Sequence, residues 1–219
     1  MTRVARLGLG VALIAWLAIG VGIWRLWPVI VQLADGNRPR TFYIPSQSMM
    51  PTLGLDDRIR PHRSEAGELR RGQVIVFHAP GSVRVARIVA LGGDKVTLRA
   101  GRLWLNGTPV PTRALGAGTA IAGQPTKLAA ERLPGEPGEH RTLDAGSTAQ
   151  DDLGPVHVPA GTLFVLGDNR DFAADSRFPR EEGGVGFVSA AAVIGVADRL
   201  LWRAGFRDLG KPIDAVRGR

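Results

Sequence analysis

Short apolar or alternating segments, each followed by a turn signal, fill the sequence between residues 73 and 110. Gln73 to His78 and Val83 to Leu91 flank Ala79-Pro80-Gly81-Ser82, a pattern that predicts a β-hairpin with a short loop. Ala100-Gly101 and Asn106-Gly107 are further turn signals, because such pairs readily adopt tight-turn conformations. Additional strands are predicted at 95–99, 102–105, 108–110, 162–166 and 192–196. The sequence therefore predicts a mostly β fold.

A charge-free stretch precedes this β pattern. From Leu7 to Trp24, 18 residues carry no charge. As a helix they would measure about 27 Å, against a hydrocarbon core of roughly 30 Å. A cleaved signal peptide is the alternative, since Arg3 and Arg6 precede the apolar run. Because no convincing small-x-small cleavage site stands before Asp35 and the apolar run is long, we predict an uncleaved transmembrane helix with its juxtamembrane segment over residues 7–34.

Composition narrows the functional classes. The chain has no Cys, which excludes disulfides, cysteine nucleophiles and zinc ribbons. The net charge is +8, but the basic residues are scattered, without a basic helix or an aromatic-rich sheet motif, so no nucleic-acid partner is predicted. His62, His140 and His157 lack metal-ligand spacing and are predicted to be surface residues. No metal site is therefore expected, and the absence of a cofactor motif predicts no cofactor.

Beyond the charge-free stretch, changes in pattern divide the chain. Residues 112–155 are rich in Gly, Pro, Ala and Thr and lose clear periodicity, which indicates an irregular insertion in the β core. The predicted segments are a short basic N-terminus at 1–6, the anchor at 7–34, the first part of the β core at 35–111, the insertion at 112–155, the second part of the core at 156–205 and a C-terminal tail at 206–219.

Two short stretches carry candidate chemistry. The first, Ile44 to Leu53, contains Ser46 and Ser48, whose hydroxyls would face the same side of an extended chain. Such a pair can supply a nucleophile and a hydrogen-bond donor to one reaction centre. In the second stretch, Gly167 to Arg177, opposite charges interleave. That pattern predicts a salt-bridged loop that supports a site instead of reacting.

Together these stretches resemble type I signal peptidases, the membrane-bound serine endopeptidases that remove signal peptides from exported proteins. The resemblance also covers Arg71 to Phe77, Arg87 to Asp94 and Gly186 to Val188, in the family's order and over most of the chain outside the insertion. It implies a single transmembrane helix in a bacterial-type inner membrane, with a β-rich catalytic domain on the outer, periplasmic side. The implied partners are signal peptides of exported preproteins and the lipid bilayer.

The resemblance implies a Ser/Lys dyad in which Ser48 attacks the peptide carbonyl and forms an acyl-enzyme. The Ser46 hydroxyl and the Ser48 backbone N–H would hold the oxyanion. Pockets for small side chains are implied at Ile44, Pro45, Met49, Leu53 and Val85. Structural support is implied for Arg87 paired with Asp168, for Arg170, and for Asp175 paired with Arg177.

The general-base position departs from the family's pattern. The family has a lysine there, whose pKa burial lowers toward neutrality, but this chain has Ala86. The serine that hydrogen-bonds that lysine falls on Ala173. Arg84 would share a face with Ala86 but stays protonated, whereas His78 has the opposite parity. Lys95 lies beyond the Gly92-Gly93 turn, and Lys127 lies in the insertion. Either lysine would have to reach inward to contact Ser48, through an arrangement that the sequence does not show.

Two functions of different class are left open. In the first, the chain is a membrane-anchored serine endopeptidase that removes signal peptides by acyl-enzyme catalysis, with an unusual base or reduced activity. In the second, it is a signal-peptidase-like protein that binds extended peptides by β-strand addition without cutting them. A related self-processing repressor or a conjugation-associated peptidase is a third hypothesis, and the predicted anchor argues against a cytosolic repressor.

Overall fold

A buried β-hairpin organises the part of the chain that the structure describes. The structure is a computed structural model, and it describes residues 40–203 and 213. Strand β3 (Val74–Ala79) pairs antiparallel with β4 (Ser82–Leu91) around Pro80-Gly81, and Ile75 lies opposite Ala86. Gly81 has a φ of +68°, a conformation that glycine adopts without the clash a Cβ would cause. The hairpin predicted from the sequence is confirmed.

The hairpin lies at the centre of a five-stranded antiparallel sheet in the order β13-β12-β4-β3-β14. The other members are β12 (Thr162–Leu166), β13 (Val188–Ser189) and β14 (Val193–Ala197). Alternate residues of β3 belong to two different core clusters. Ile75 and Phe77 pack in one cluster, and Val74 and Val76 pack in the other. Because both faces of β3 are buried, its sequence is a continuous apolar run instead of an alternating one.

The remaining strands form three smaller antiparallel sheets in the described residues. The predicted strands at 95–99 and 102–105 are confirmed, with Ala100-Gly101 as the turn at positive φ. One sheet has the order β1-β2-β15, from β1 (Phe42–Tyr43), β2 (Arg58–Ile59) and β15 (Leu200–Trp202). Another has the order β11-β5-β6-β7, from β5 (Lys95–Arg99), β6 (Arg102–Leu105), β7 (Thr108–Pro109) and β11 (Leu153–His157).

The predicted irregular insertion is wrong in one respect, because it contains a third small sheet. Its strands are β8 (Thr112–Ala117), β9 (Lys127–Glu131) and β10 (His140–Asp144), in the order β10-β9-β8. Most of β8 is exposed, and its register shifts between Ala114 and Gly116, where Gly116 has a φ of +107°. An exposed, bulged strand buries little apolar surface, so its sequence lacks the alternation that reveals a strand.

Some predicted segments lie outside the described residues. These are the basic N-terminus at 1–6, the anchor at 7–34 and, except for Ile213, the C-terminal tail at 206–219. Residues 35–39 and 204–205, at the two ends of the predicted β core, also lie outside the described residues. Ile213 is buried, and its N–H donates a hydrogen bond to the Asp198 carbonyl oxygen at 3.0 Å. Within residues 40–203 and 213, none of the helices has the length and apolar character needed to span a membrane. Short 3-10 turns lie at Ala66–Glu68, Ala149–Asp151, Arg170–Phe172, Arg180–Glu182 and Ala190–Ala192.

Candidate functional site

The two serine hydroxyls meet just after β1. The Oγ atoms of Ser46 and Ser48 lie 3.0 Å apart, within hydrogen-bond distance. The expectation of an extended chain at this point is wrong, because the segment bends at Ser46 and turns from Ser48 onward. The Met50 N–H closes the turn by donating to the Gln47 carbonyl oxygen at 3.1 Å. The turn brings the hydroxyls together by a different geometry from the one predicted.

A groove with a volume of about 460 Å³ contains both serines. Of the predicted pocket residues, Ile44, Pro45, Met49 and Val85 line it. Leu53 does not line this groove, because its side chain is fully buried in a core cluster. The other lining residues are Phe42, Tyr43, Phe77, Ser82, Val83, Arg84, Ala86, Gly167, Phe172, Ala173, Ala174, Asp175 and Val185.

Ala86 and Ala173 line the same groove as Ser48, so the two departures from the family's pattern lie together in space. Neither methyl group can accept a proton. Among the described residues, the groove lining contains no Lys or His, and its cation is Arg84. The Arg84 guanidinium donates to the carbonyl oxygens of Ala174 and Gly183, each at 3.2 Å. His78, Lys95 and Lys127 are exposed and lie outside the lining.

The turn that follows β12 contacts the backbone of Gln47 and Ser48. The Asn169 N–H donates to the Ser48 carbonyl oxygen at 3.1 Å, and the Asn169 side-chain amide donates to the Gln47 carbonyl oxygen at 3.0 Å. At Gly167, an added Cβ would lie 2.6 Å from the Ser48 carbonyl oxygen and 2.2 Å from the Ala173 Cβ. Only glycine leaves room for this approach. The two stretches that carry the candidate chemistry are therefore in direct contact.

Arg87 and Asp168 form a buried bidentate ion pair behind this turn. The Arg87 Nε and Nη2 atoms donate to the two carboxylate oxygens of Asp168 at 2.8 and 2.7 Å. Arg87 also donates to the Gly72 carbonyl oxygen at 2.6 Å, and the Thr52 hydroxyl donates to Asp168. Burial opposes ionisation of Asp168, but the Arg87 guanidinium outweighs it and holds the pKa of that carboxyl below its usual range.

Asp175 and Arg177 form a second buried ion pair, with Arg177 donating to the two carboxylate oxygens at 2.9 and 3.0 Å. Asp175 also accepts a hydrogen bond from the Gly167 N–H at 3.1 Å. Arg177 donates in addition to the Arg170 carbonyl oxygen. The pair therefore ties the two ends of the 167–177 loop together, and its role as support for the site stays a prediction.

Sequence analysis missed the burial of three residues of the insertion near Arg170, which are Glu131, Glu136 and His140. Arg170 pairs with Glu131, with contacts of 2.5 and 3.3 Å, and Glu136 and His140 lie next to that pair. His140 was predicted at the surface, which is wrong, since it is 1% exposed. His62 and His157 are exposed as predicted. Polar residues in a Gly- and Pro-rich segment resemble a solvated loop, so the sequence carries no signal for this burial.

Comparisons with known proteins point to one family. Residues 26–202 match the family model described as signal peptidase, peptidase S26. A signal peptidase I of Pseudomonas fluorescens is 36% identical over 155 residues, which are 63% of this chain and 54% of that protein. A signal peptidase I of Bacillus caldolyticus is 30% identical over 186 residues, 81% of this chain and 90% of that protein. A solved signal peptidase I of Enterococcus faecalis is 26% identical, with a TM-score of 0.34, over 59% of this chain and 96% of that one.

Proposed function

Because the chain belongs to the signal peptidase family, peptidase S26, we propose that its groove binds the cleavage-site segment of a signal peptide. The bound segment is extended, and Ser48 hydrolyses it slowly or not at all, since the groove lining within the described residues has no Lys or His to accept the hydroxyl proton, and its carboxylate, Asp175, is paired with Arg177. The observation that carries the proposal is the joint presence of Ser48, Ala86 and Ala173 in one groove.

The strand edge beside the groove supports binding of an extended peptide. On one side β4 pairs with β3 from Ser82 to Arg87. On the other side its pairing with β12 runs only from Arg87 to Leu91. Residues 82–85 therefore have no strand partner on that side among the described residues, and they line the groove. A peptide strand added there would satisfy their backbone groups.

The residues around Ser48 support slow hydrolysis. A serine hydroxyl is a weak nucleophile until a base accepts its proton. The hydroxyl next to it is Ser46 at 3.0 Å, which can share a hydrogen bond but is a poor base near neutral pH. A guanidinium such as that of Arg84 makes a poor base, and this one donates to the carbonyl oxygens of Ala174 and Gly183. These contacts support a site that, within the described residues, has hydroxyl groups placed to hold a peptide carbonyl but no Lys or His in its lining to activate the nucleophile.

A second candidate function, active signal peptide cleavage, is favoured by the retained Ser46–Ser48 pair. The two hydroxyls lie at hydrogen-bond distance, and two buried ion pairs include residues of the adjoining 167–177 loop. Under this reading another group, outside the groove lining described above, reaches Ser48 when substrate binds. In either function we propose that the chain is anchored in a bacterial inner membrane by residues 7–34, with the groove on the periplasmic side.

The experiment measures binding and cleavage separately on the full-length chain in detergent. Binding is measured by the anisotropy of a fluorescently labelled signal peptide, and cleavage by the appearance of the mature protein from a preprotein. We expect binding without appreciable cleavage, and we expect Ser48→Ala to bind equally well. Val85→Trp places an indole in the groove and should abolish binding, whereas Val156→Trp, at a half-buried strand position outside the groove, should not.

The outcomes distinguish the candidates. Cleavage that Ser48→Ala abolishes supports the active peptidase and overturns the non-cutting function. Cleavage that survives Ser48→Ala excludes Ser48 as the nucleophile. An unchanged anisotropy with the wild-type chain, at peptide concentrations that saturate an active signal peptidase, overturns the proposal that the groove binds signal peptides.

A further inference from the structure

Eight buried ionisable side chains form a connected cluster behind the groove, which we name the charge cluster. Its members are Arg87, Glu131, Glu136, His140, Asp168, Arg170, Asp175 and Arg177. Direct ion pairs join Asp168 to Arg87, Glu131 to Arg170, and Asp175 to Arg177. The Arg87 Nη1 atom lies 3.8 Å from Glu136. The cluster thus contains residues of the β core, of the 167–177 loop and of the insertion sheet.

The charges of the cluster balance only when the imidazole is protonated. Four carboxylates face three guanidinium groups, which leaves one negative charge without a counterion when His140 is neutral. An uncompensated buried charge is strongly unfavourable. A doubly protonated His140 supplies the missing positive charge, so four negative charges meet four positive ones.

The contacts of the His140 ring agree with this count. The Nδ1 atom lies 3.0 and 3.1 Å from the two carboxylate oxygens of Glu136, and the Nε2 atom lies 3.3 Å from Oε2 of Glu131. The second contact has the distance of an ion pair but lacks the alignment of a hydrogen bond, so its contribution is electrostatic. A neutral imidazole has one N–H and one acceptor nitrogen. It would leave one of its nitrogens facing a carboxylate lone pair.

The insertion sheet is connected to Ser48 through the turn after β12. On one side of that turn, the Leu143 N–H donates to the Asp168 carbonyl oxygen at 2.8 Å, and the Ala145 N–H donates to the Asp171 carboxylate at 2.5 Å. On the other side, Asn169 bonds the carbonyl oxygens of Gln47 and Ser48. The backbone of the turn therefore has the insertion on one face and the serine segment on the other.

We infer that doubly protonated His140 is a positioning residue, which holds the insertion sheet and the Asn169 turn in the arrangement that fixes the Ser48 backbone. It does so by bridging Glu131, the partner of Arg170, and Glu136, which lies next to Arg87. His140 does not touch a bound peptide. The effect of this positioning on peptide binding rests on the proposed function, while its effect on the turn itself does not.

The charged groups that face His140 come from several elements. Glu131 lies on β9, Glu136 precedes β10, Arg87 lies on β4, and Asp168 follows β12. Burial and the Arg87 guanidinium oppose protonation, but the Glu131, Glu136 and Asp168 carboxylates outweigh them, so the pKa of His140 lies above its usual range. A raised pKa means that the stabilisation is present below the unfolded-state pKa and is lost as the pH rises through the folded-state pKa.

The test is a pH titration of the full-length, 15N-labelled chain in detergent, followed by NMR of the histidine ring nitrogens and the backbone amides. At pH values where exposed His157 is neutral, we expect both ring nitrogens of His140 to carry protons. When His140 loses its proton at higher pH, the Asn169 amide signal should shift with the same midpoint. A His140 ring that titrates together with His157 overturns the inference, and so does an Asn169 amide that does not respond.

A variant and its matched control extend the test to binding. His140→Gln keeps one donor but removes the titration, so the pH-dependent shift of the Asn169 amide should disappear. Signal peptide binding should weaken about tenfold, the scale of one lost buried partner. His157→Gln should change neither. If His140→Gln does not fold, the wild-type titration still decides. A wild-type chain that shows both the protonated ring and the linked amide shift but binds no peptide overturns the proposed function and leaves this inference standing.

Discussion

The α-carbon of Gly167 lies so close to Ser48 that a Cβ added to it would stand 2.6 Å from the Ser48 carbonyl oxygen. The glycine follows β12, and the serine follows β1, more than a hundred residues earlier. The close approach is what brings the Asn169 N–H within hydrogen-bond distance of the same oxygen. The position of Ser48 therefore depends on the absence of a side chain at residue 167.

Gly167→Ala should displace the Ser48 segment and weaken signal peptide binding at least tenfold, because the new methyl group overlaps both the Ser48 carbonyl oxygen and the Ala173 side chain. Anisotropy titration with a labelled signal peptide measures the loss. Gly138→Ala is the matched control, since no heavy atom lies within 4 Å of a Cβ there. Equal binding by the two variants would contradict the role of the close approach.

Ala86→Lys combined with Ala173→Ser should raise kcat/KM for preprotein cleavage about a hundredfold, the scale of a positioned general base. Both positions are buried and line the groove beside Ser48. Burial would lower the pKa of the new lysine, so the rate should rise with pH through that lowered value. Ala86→Met with Ala173→Ser has similar bulk and no base, and it should show no gain. A gain in the methionine variant, or none in the lysine variant, would count against residue 86 as the base position.

Asp168→Asn should lower the free energy of unfolding by about 3–5 kcal/mol, because it removes the bidentate carboxylate partner of the buried Arg87 guanidinium. Urea denaturation monitored by tryptophan fluorescence measures the change. The exposed pair between Arg113 and Glu139 provides the control, and Glu139→Gln should cost less than about 1 kcal/mol. Similar costs for the two substitutions would show that the buried pair contributes no more than a surface one.

Acid should destabilise the chain partly through Glu131. Burial opposes its ionisation, but Arg170 and His140 outweigh burial and lower the pKa of Glu131 to about 2. A lowered pKa contributes stability above the unfolded-state value, near 4.5, and that stability is lost as the pH falls from there toward 2. The contribution is on the order of 3 kcal/mol.

Glu131→Gln removes this titration. The variant should be less stable than the wild type at neutral pH and should lose less stability between about pH 4.5 and 2. Urea midpoints measured across that range compare the two chains, with Glu139→Gln as the exposed control. Parallel pH profiles of wild type and Glu131→Gln would exclude Glu131 as a source of the acid sensitivity.

Much of the β core was predictable because its signals are local. Ala79-Pro80-Gly81-Ser82 and Ala100-Gly101 determine where the chain reverses, and the apolar runs beside them are long enough to be recognised as strands. Strand β8 was missed for the opposite reason. It is mostly exposed and bulged near Gly116, so its sequence lacks the alternation of apolar and polar residues that would predict a strand.

The sequence predicted the residues of the two motif stretches, but it did not predict the buried charged residues that surround them. The residues of the two motif stretches identified Ser48 and the loop that contacts it, because those stretches resemble a known family. The charge cluster was not predictable, since the burial and the ion pairs of Glu131 and His140 involve partners such as Arg170 and Arg87, which lie far away in sequence. Nothing in the local pattern distinguishes a carboxylate in a buried cluster from one in water.

Strand β4 presents two neighbouring residues to two different environments. Ala86 lines the groove, and Arg87, the next residue, enters the charge cluster. Since neighbouring side chains of a strand point to opposite faces, a one-residue slip of β4 against β3 that put Arg87 in the place of Ala86 would also put Ile88 in the place of Arg87. The guanidinium would then lie in the groove lining, and an isoleucine side chain would face the Asp168 carboxylate. A pairing error in this single hairpin would therefore change the groove lining and destabilise the interior at once, so both depend on the same β3–β4 register.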